Sequence, residues 1–583
     1  MLRMLSALAL APTLGVAELI CGPSGPVLPR PAISSLSSSP ILQQAAANLT
    51  SSLNAAINGT ITAGWETKNA SFSIGLISAN QSDAKVPIWE FHHRAEANTR
   101  GTLEVGRDSQ YLVGSISKAI SDYILLRSGI DIDTPVTELL PKLTETESII
   151  QWNQITLRML GSHLAGVPAN YGFSEYYYLK KLFVSSGLPD IDDSDYPPCS
   201  VGGLNGPCSQ DDFLNGMRTQ YPVTATNERP SYSNIAFTLM FMAVEAQTGK
   251  NYTQLVNEFI GQELGMTSTF PSPGDDNKAV IPPGESTWGG NYGFDAPAGG
   301  LVSTISDLGQ FCHRILTRTL PITRAQTRGW LKPSSVAGNP STQVGMPWEI
   351  YQTSDLTPNH PHPVSVYGKG GGAMSYRSQL SIIDEYGIGL VVLTAGPMNS
   401  ITLINNAALS VLVPAIDEAA RAYAKDNYAT TFKTAAGHDG HTPLSVSFSL
   451  DQDSLIVSNI TRGGTDVLAG LVNLWSVTVG GYVAPVSSPF RLFPTELDSH
   501  TTLGDGTPVT VETWRLQPTL SLKTDSQLPG VGLDARTCFH WTVGDWVHYG
   551  GEPTDRVLFY RDGEDNIVGF EAPFMRSGIL QPN

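Results

Sequence analysis

The apolar periodicity of this chain changes once, near residue 430, and that change limits the folds open to it. Up to a helical run over about 402–424, helix-period segments are mixed with short strand-like runs. Beyond it the helical period gives way to alternation, as in Leu444-Ser-Val446-Ser-Phe448-Ser-Leu450 and VLFYR at 557–561. This predicts an α+β domain over 40–428 followed by an all-β domain over 429–583. In the first domain a helix over about 41–57 precedes two strand-like runs, SFSIGLIS at 71–78 and PIWEFHHRA at 87–95. The region from about 130 to 300 reads as an inserted helical subdomain. Strand signals bounded by turn residues return at 363–371, 376–384 and 387–395.

The first seventeen residues carry Arg3, an apolar stretch through Leu10 and a small-residue end at Gly15-Val16-Ala17, the pattern of a secretory signal peptide. A Pro/Ser-rich extension over 18–39 follows. No later run reaches the apolar length that a membrane span needs, so a secreted protein, off the membrane after signal cleavage, is expected. With 53 acidic against 35 basic residues the net charge is −18, which repels phosphate backbones and excludes nucleic acid as a partner. Oxidising surroundings suit disulfides. Cys199 and Cys208 bracket a Gly-rich loop and are expected to pair. Cys21 with Cys538 is a possible second bridge, and Cys312, inside a helical pattern, reads as a buried free thiol. Six glycosylation sequons, at Asn48, Asn58, Asn69, Asn80, Asn251 and Asn459, agree with secretion.

The chemistry centres on Ser115-Ile-Ser-Lys118, which opens an apolar-faced helix after a strand-like YLVG. A hydroxyl in a first helical turn lies beside unpaired N–H groups, and an ammonium three residues on shares its face and can reach back to it. If desolvated, that lysine can accept the serine proton. Ser82-Asp-Ala-Lys85 has the same spacing but sits in a polar loop with no apolar helix behind it, so context separates the two. Taken alone, Ser115 reads equally as a helix N-cap. Tyr232-Ser-Asn234 stands just before the helical pattern IAFTLMFMAVEAQTG, where a phenol can relay protons if a cation lowers its pKa. Lys369-Gly-Gly371-Gly372 closes a strand whose glycines admit a substrate backbone. His92-His93 and His360-Pro-His362 read as surface or strand histidines, and no metal or organic cofactor is expected.

In that order and spacing, Ser-x-x-Lys, Tyr-x-Asn and Lys-x-Gly resemble the three motifs of the serine β-lactamase and penicillin-binding protein superfamily. The Tyr-x-Asn form is similar to its class C β-lactamase, D-alanyl-D-alanine peptidase and esterase branch. LGSHLAGVP at 160–168 and APAGGLVSTISDLGQF at 296–311 resemble supporting segments, and the whole layout resembles fungal secreted β-lactamase-like proteins with a C-terminal β-domain.

The resemblance implies a β-lactamase/transpeptidase-like fold, an antiparallel sheet with packed helices and a helical subdomain. It implies a secreted serine hydrolase that forms an acyl-enzyme on an ester, lactone or amide in a small-molecule or peptide-like acyl substrate, with secondary metabolites as one class. Acyl transfer, or a catalytically silent binding protein of the same fold, is the alternative. Residue by residue, it makes Ser115 the nucleophile, Lys118 its base, Tyr232 the proton relay and Asn234 a polar ligand to Lys118 and substrate. Lys369 would steady the tyrosine or bind an anion. Gly371 and Gly372 would line the substrate strand, with the Gly372 and Ser115 N–H groups as oxyanion hole. His163 reads as a core hydrogen-bonder, and the walls are expected from 171–178, 288–292 and 373–376.

Overall fold

The computed structural model describes residues 22, 25–31, 36–172, 179–202, 206–435, 442–520, 529, 538 and 540–583. The expected signal peptide, Cys21 and most of the 171–178 wall lie outside these. The described chain divides into two compact units, residues 30–356 with 363–420, and residues 421–583 with 357–362 and the chain before Arg30.

The larger unit is built on an eight-stranded antiparallel sheet. In chain order its strands are β1 (Ser71–Ser78), β2 (Trp89–His93), β3 (Ser335–Val336), β4 (Thr342–Val344), β5 (Glu349–Thr353), β6 (Val364–Ala373), β7 (Tyr376–Ile383) and β8 (Ile388–Ala395). They lie side by side as β2-β1-β8-β7-β6-β5-β4-β3. The strands β1 and β8 are buried along their whole length, as their continuous apolar runs require. Helix α1 (Pro40–Ile57) begins at an N-cap, Ser39, whose hydroxyl accepts from Leu42 N, and buries Leu42, Ala46, Leu49, Leu53 and Ala56 at helical spacing.

Two helices are buried on nearly every side. These are α2 (Ser117–Ser128), buried from Ser117 through Leu125, and α3 (Ile235–Thr248), buried from Ile235 through Val244. Each stops at a left-handed glycine, Gly129 and Gly249. Helix α4 (Ile305–Thr317), capped by Thr304, lies against the sheet where strands β1 and β8 carry glycine. A Cβ on Gly75 would stand 2.7 Å from Ile305, and one on Gly389 2.0 Å from Cys312 Sγ. Cys312 is the buried free thiol at that contact. The sulfurs of Cys199 and Cys208 are bonded to one another. Cys538 is disulfide-bonded as well; Cys21, the partner expected for it, lies outside the described residues.

Helix α5 (Ser400–Tyr428) carries the chain from the larger unit into the smaller one. There a nine-stranded antiparallel sheet is centred on the hairpin Val486–Thr502 with Pro508–Leu520. The expectation of an all-β unit needs correcting, because Val467–Thr478 is a helix, α6, capped by Asp466, whose carboxylate accepts from Ala469 N. Its sequence, VLAGLVNLWSVT, is apolar almost throughout and shows no clear period, so strand alternation on either side concealed it. The unit is β-rich with one helix. Five of the six sequon asparagines are exposed; Asn80 is half-buried and its amide donates to Pro31 O at 2.8 Å.

The core of the smaller unit is aromatic. Phe559, fully buried, has the rings of Tyr428, Phe432, Phe448, Trp514 and Phe570 at centroid distances of 5.1–6.0 Å. Phe559→Ala leaves a cavity that these rings cannot close together, and is expected to cost the smaller unit about 3–5 kcal/mol. Denaturant unfolding followed by tryptophan fluorescence checks this.

Candidate active site

The short strand Tyr111–Leu112 pairs with Leu301–Ser303, and the chain then turns through a 3-10 segment, Gly114–Ile116, into α2. The helix therefore begins at Ser117, not at Ser115 as expected, and Ser115 stands on the tight turn in front of it. Gly114 has φ +49°, and a Cβ there would come within 2.3 Å of Gly372 N. Only glycine lets this turn press against the edge of β6.

Lys118, in the first turn of α2, is fully buried. Its ammonium donates to Ser115 Oγ at 3.1 Å, Asn234 Oδ1 at 2.7 Å and Ala298 O at 2.6 Å. That satisfies all three donors. Asn234 is held in turn by Asn170, whose Oδ1 accepts from Asn234 Nδ2 at 2.7 Å. Tyr232, two residues before, donates its hydroxyl to Ser115 Oγ at 2.7 Å. The phenol ring has Lys118 Nζ at 4.8 Å and Lys369 Nζ at 5.2 Å from its centroid, and stacks on the His163 ring at 4.4 Å.

This arrangement sets the ionisation of the group. Burial dominates at Lys118 and lowers its pKa; the Tyr232 phenol opposes that shift and the Lys369 charge adds to it. Burial pushes the Tyr232 phenol up, but the Lys118 and Lys369 charges together outweigh it and leave it lowered. Burial, then the same two charges, hold the His163 imidazole well below its usual range. Its Nδ1 accepts from Ser233 N at 3.2 Å, which leaves the proton on Nε2 of a neutral ring. The ring thus makes the expected core hydrogen bond and also forms a face for the tyrosine. Burial raises Asp295 to about 6, against the pull of the Lys118 charge.

The strand β5 pairs with β6 only as far as Glu349 opposite Gly368. Backbone N–H groups alternate in direction along a strand, so those of Gly370 and Gly372 point past the end of β5. Glu349 Oε2 takes the first at 2.9 Å. The second stands beside the Ser115 turn. Gly371 faces that turn too: a Cβ there would meet Val113 O at 2.1 Å, Ser378 Oγ at 2.3 Å and Ser115 N at 3.0 Å. The N–H groups of Ser115 and Gly372 thus belong to backbone packed together at this turn, where an oxyanion hole needs two donors.

Lys369, fully buried, is committed. Its ammonium donates to Glu349 Oε1 at 2.6 Å and Gly370 O at 2.8 Å. The expectation that it steadies the tyrosine or binds an anion had no place for this carboxylate. Sequence reasoning missed Glu349, Asn170, Ala298 and Asp295. Ala298 acts through its backbone, which leaves no side-chain signal, though it lies in the segment at 296–311 that drew attention; Asn170 follows the segment at 160–168. Among the described residues no three His, Cys, Asp or Glu side chains converge to hold a metal ion.

The Beta-lactamase family profile matches residues 88–408, and a profile described as Beta-lactamase-like-like, C-terminal domain, matches 420–583. A "Beta-lactamase-like protein" of Arthroderma benhamiae is 38% identical over 98% of this chain and 97% of its own. The chain belongs to the β-lactamase family. A second relative of the family, "Probable hydrolase clz13" of Cochliobolus lunatus, is 25% identical over 86% of this chain and 84% of its own. Among solved structures, a β-lactamase/D-alanine carboxypeptidase from Yersinia pestis is similar at 17% identity, covering 68% of this chain and all of that one, with a TM-score of 0.46. By the two family profiles, the fold is that of the β-lactamase family followed by a β-rich C-terminal domain.

The tight turn gives a test. Gly371→Ala places a methyl group against backbone and a buried hydroxyl, so β6 must shift away from Ser115. Reaction of Ser115 with a fluorophosphonate is expected to fall by about 10²-fold or more while circular dichroism stays as in the parent.

Proposed function

We propose that the protein is a secreted serine hydrolase that forms an acyl-enzyme at Ser115 on an ester, lactone or amide of a small-molecule or peptide-like acyl substrate. One observation carries the reading: Ser115 Oγ is held at once by Lys118 and Tyr232, and the site lowers the pKa of both. A serine that served only as a cap would need neither.

In acylation a neutral Lys118, or the phenolate of Tyr232, takes the Ser115 proton as Oγ bonds to the substrate carbonyl carbon. The carbonyl oxygen gains the negative charge and lies against the N–H groups of Ser115 and Gly372. Tyr232 returns the proton to the leaving group as the carbonyl–heteroatom bond breaks. Water then repeats the sequence: its proton passes to the same pair, its oxygen bonds to the acyl carbon, and Ser115 Oγ leaves with the proton. Lys118 and Tyr232 serve both halves. The leader at 1–17, the sequons and the disulfide support placement outside the cell.

A fluorophosphonate probe followed by intact and peptide mass spectrometry tests the reading. A single adduct on Ser115 is expected, absent in Ser115→Ala, and Tyr232→Phe is expected to slow turnover by about 10²–10⁴-fold. A chain that leaves Ser115 unmodified, or a Tyr232→Phe variant with full turnover, rules the assignment out.

Acylation needs the Lys118–Tyr232 pair short of one proton, so its rate is expected to rise with pH. The midpoint belongs to the pair and lies below the value of a free lysine, about 10.4. The Lys369 charge lowers both partners. Lys369→Met is therefore expected to move this limb to higher pH, read from the pH profile of Ser115 acylation.

A further inference from the structure

The cation that would attract an acidic substrate is already occupied. Glu349 clasps the strand with both oxygens, Oε1 on Lys369 Nζ at 2.6 Å and Oε2 on Gly370 N at 2.9 Å. Glu349 leaves β5 opposite Gly368, and its carboxylate reaches the ammonium at the end of the strand pairing; the lysine side chain is 1% exposed and that of Glu349 49% exposed. A carboxylate in contact with the ammonium cancels most of the attraction that an incoming anion would feel.

Among the described residues, neither Lys118 nor Arg377 replaces Lys369 there. Lys118 is buried and spends its three donors on Ser115, Asn234 and Ala298. Arg377 is the register partner of Gly372, and a Cβ on Gly372 would lie 3.2 Å from its guanidinium. Successive residues of a strand face opposite sides, and it is Gly371 that faces Ser115. Arg377 therefore lies on the far face, where it donates to Tyr376 O at 2.7 Å and Met398 Sδ at 2.6 Å.

We propose that Glu349 is a specificity-determining residue: by occupying Lys369 it selects acyl substrates that carry no carboxylate beside the scissile bond, and its removal admits those that do. This rests on the acyl-enzyme reading above. Glu349 touches no reacting atom and acts through the charge it places beside Lys369.

The test uses 3-carboxyphenylboronic acid and its methyl ester, which differ by one charge and add reversibly to a reactive serine. Protection of Ser115 against a fluorophosphonate is measured for the wild type, Glu349→Gln and Glu349→Ala. The half-exposed side chain makes both variants compatible with the fold, and circular dichroism checks it. The wild type is expected to be protected better by the ester. In both variants the acid-to-ester ratio of protection is expected to rise about tenfold or more, a modest part of what one unpaired charge can supply at this range. An unchanged ratio in both variants, equal or better protection of the wild type by the acid, or protection by neither compound in any of the three proteins overturns the proposal. Failure of the fluorophosphonate to modify wild-type Ser115 counts instead against the acyl-enzyme reading, so the two failures are distinguishable.

Discussion

The site depends on keeping one ammonium out of water. Lys118 is buried at the front of a helix that is itself buried on nearly all sides, and its charge is tolerated because three acceptors, from three separate stretches of chain, converge on it. An unpaired buried charge would cost several kcal/mol. This one is paired by hydrogen bonds to neutral groups and by no carboxylate, so its proton stays easy to remove. The neighbouring phenol then feels two positive charges across its ring, and the neutral imidazole behind it adds none. Every feature that makes Ser115 more than a helix cap follows from that burial.

Much of this was legible in the residues. Ser115, Lys118, Tyr232 and Asn234 are side chains at short spacings on recognisable helix starts, and the structure brings all four to one point. The strands β1, β6, β7 and β8 announce themselves by apolar runs between turn residues, and α1 by its period and cap. What escaped did so for three reasons. Ala298 contributes a carbonyl, and a carbonyl has no letter. Glu349 meets Lys369 only through the register of two strands, which local pattern does not encode. Helix α6 escaped for a third reason: a run apolar on all faces has the same composition as a buried strand, and periodicity cannot separate them.

Glycine does different work at different places in the site. At Gly114 it supplies a left-handed turn, and at Gly371 it supplies room; at Gly75 and Gly389, well away from the serine, it lets α4 seat on the sheet. In each case the missing Cβ fixes a distance between two elements, and the reactive geometry inherits those distances.

The turn that carries Ser115 and the strand that lies against it are far apart along the chain, as are the loop with Tyr232 and the segment with Ala298. No local stretch can therefore assemble this site. While the polypeptide is being made, Ser115 and Lys118 are synthesised before Tyr232, Asn234 and Ala298, and β6 comes later still, so the constellation assembles only after most of the larger unit has been synthesised. The strand cannot lift away on its own, because β6 is paired on both sides, with β5 and with β7, so the backbone beside Ser115 keeps its place for as long as the sheet holds.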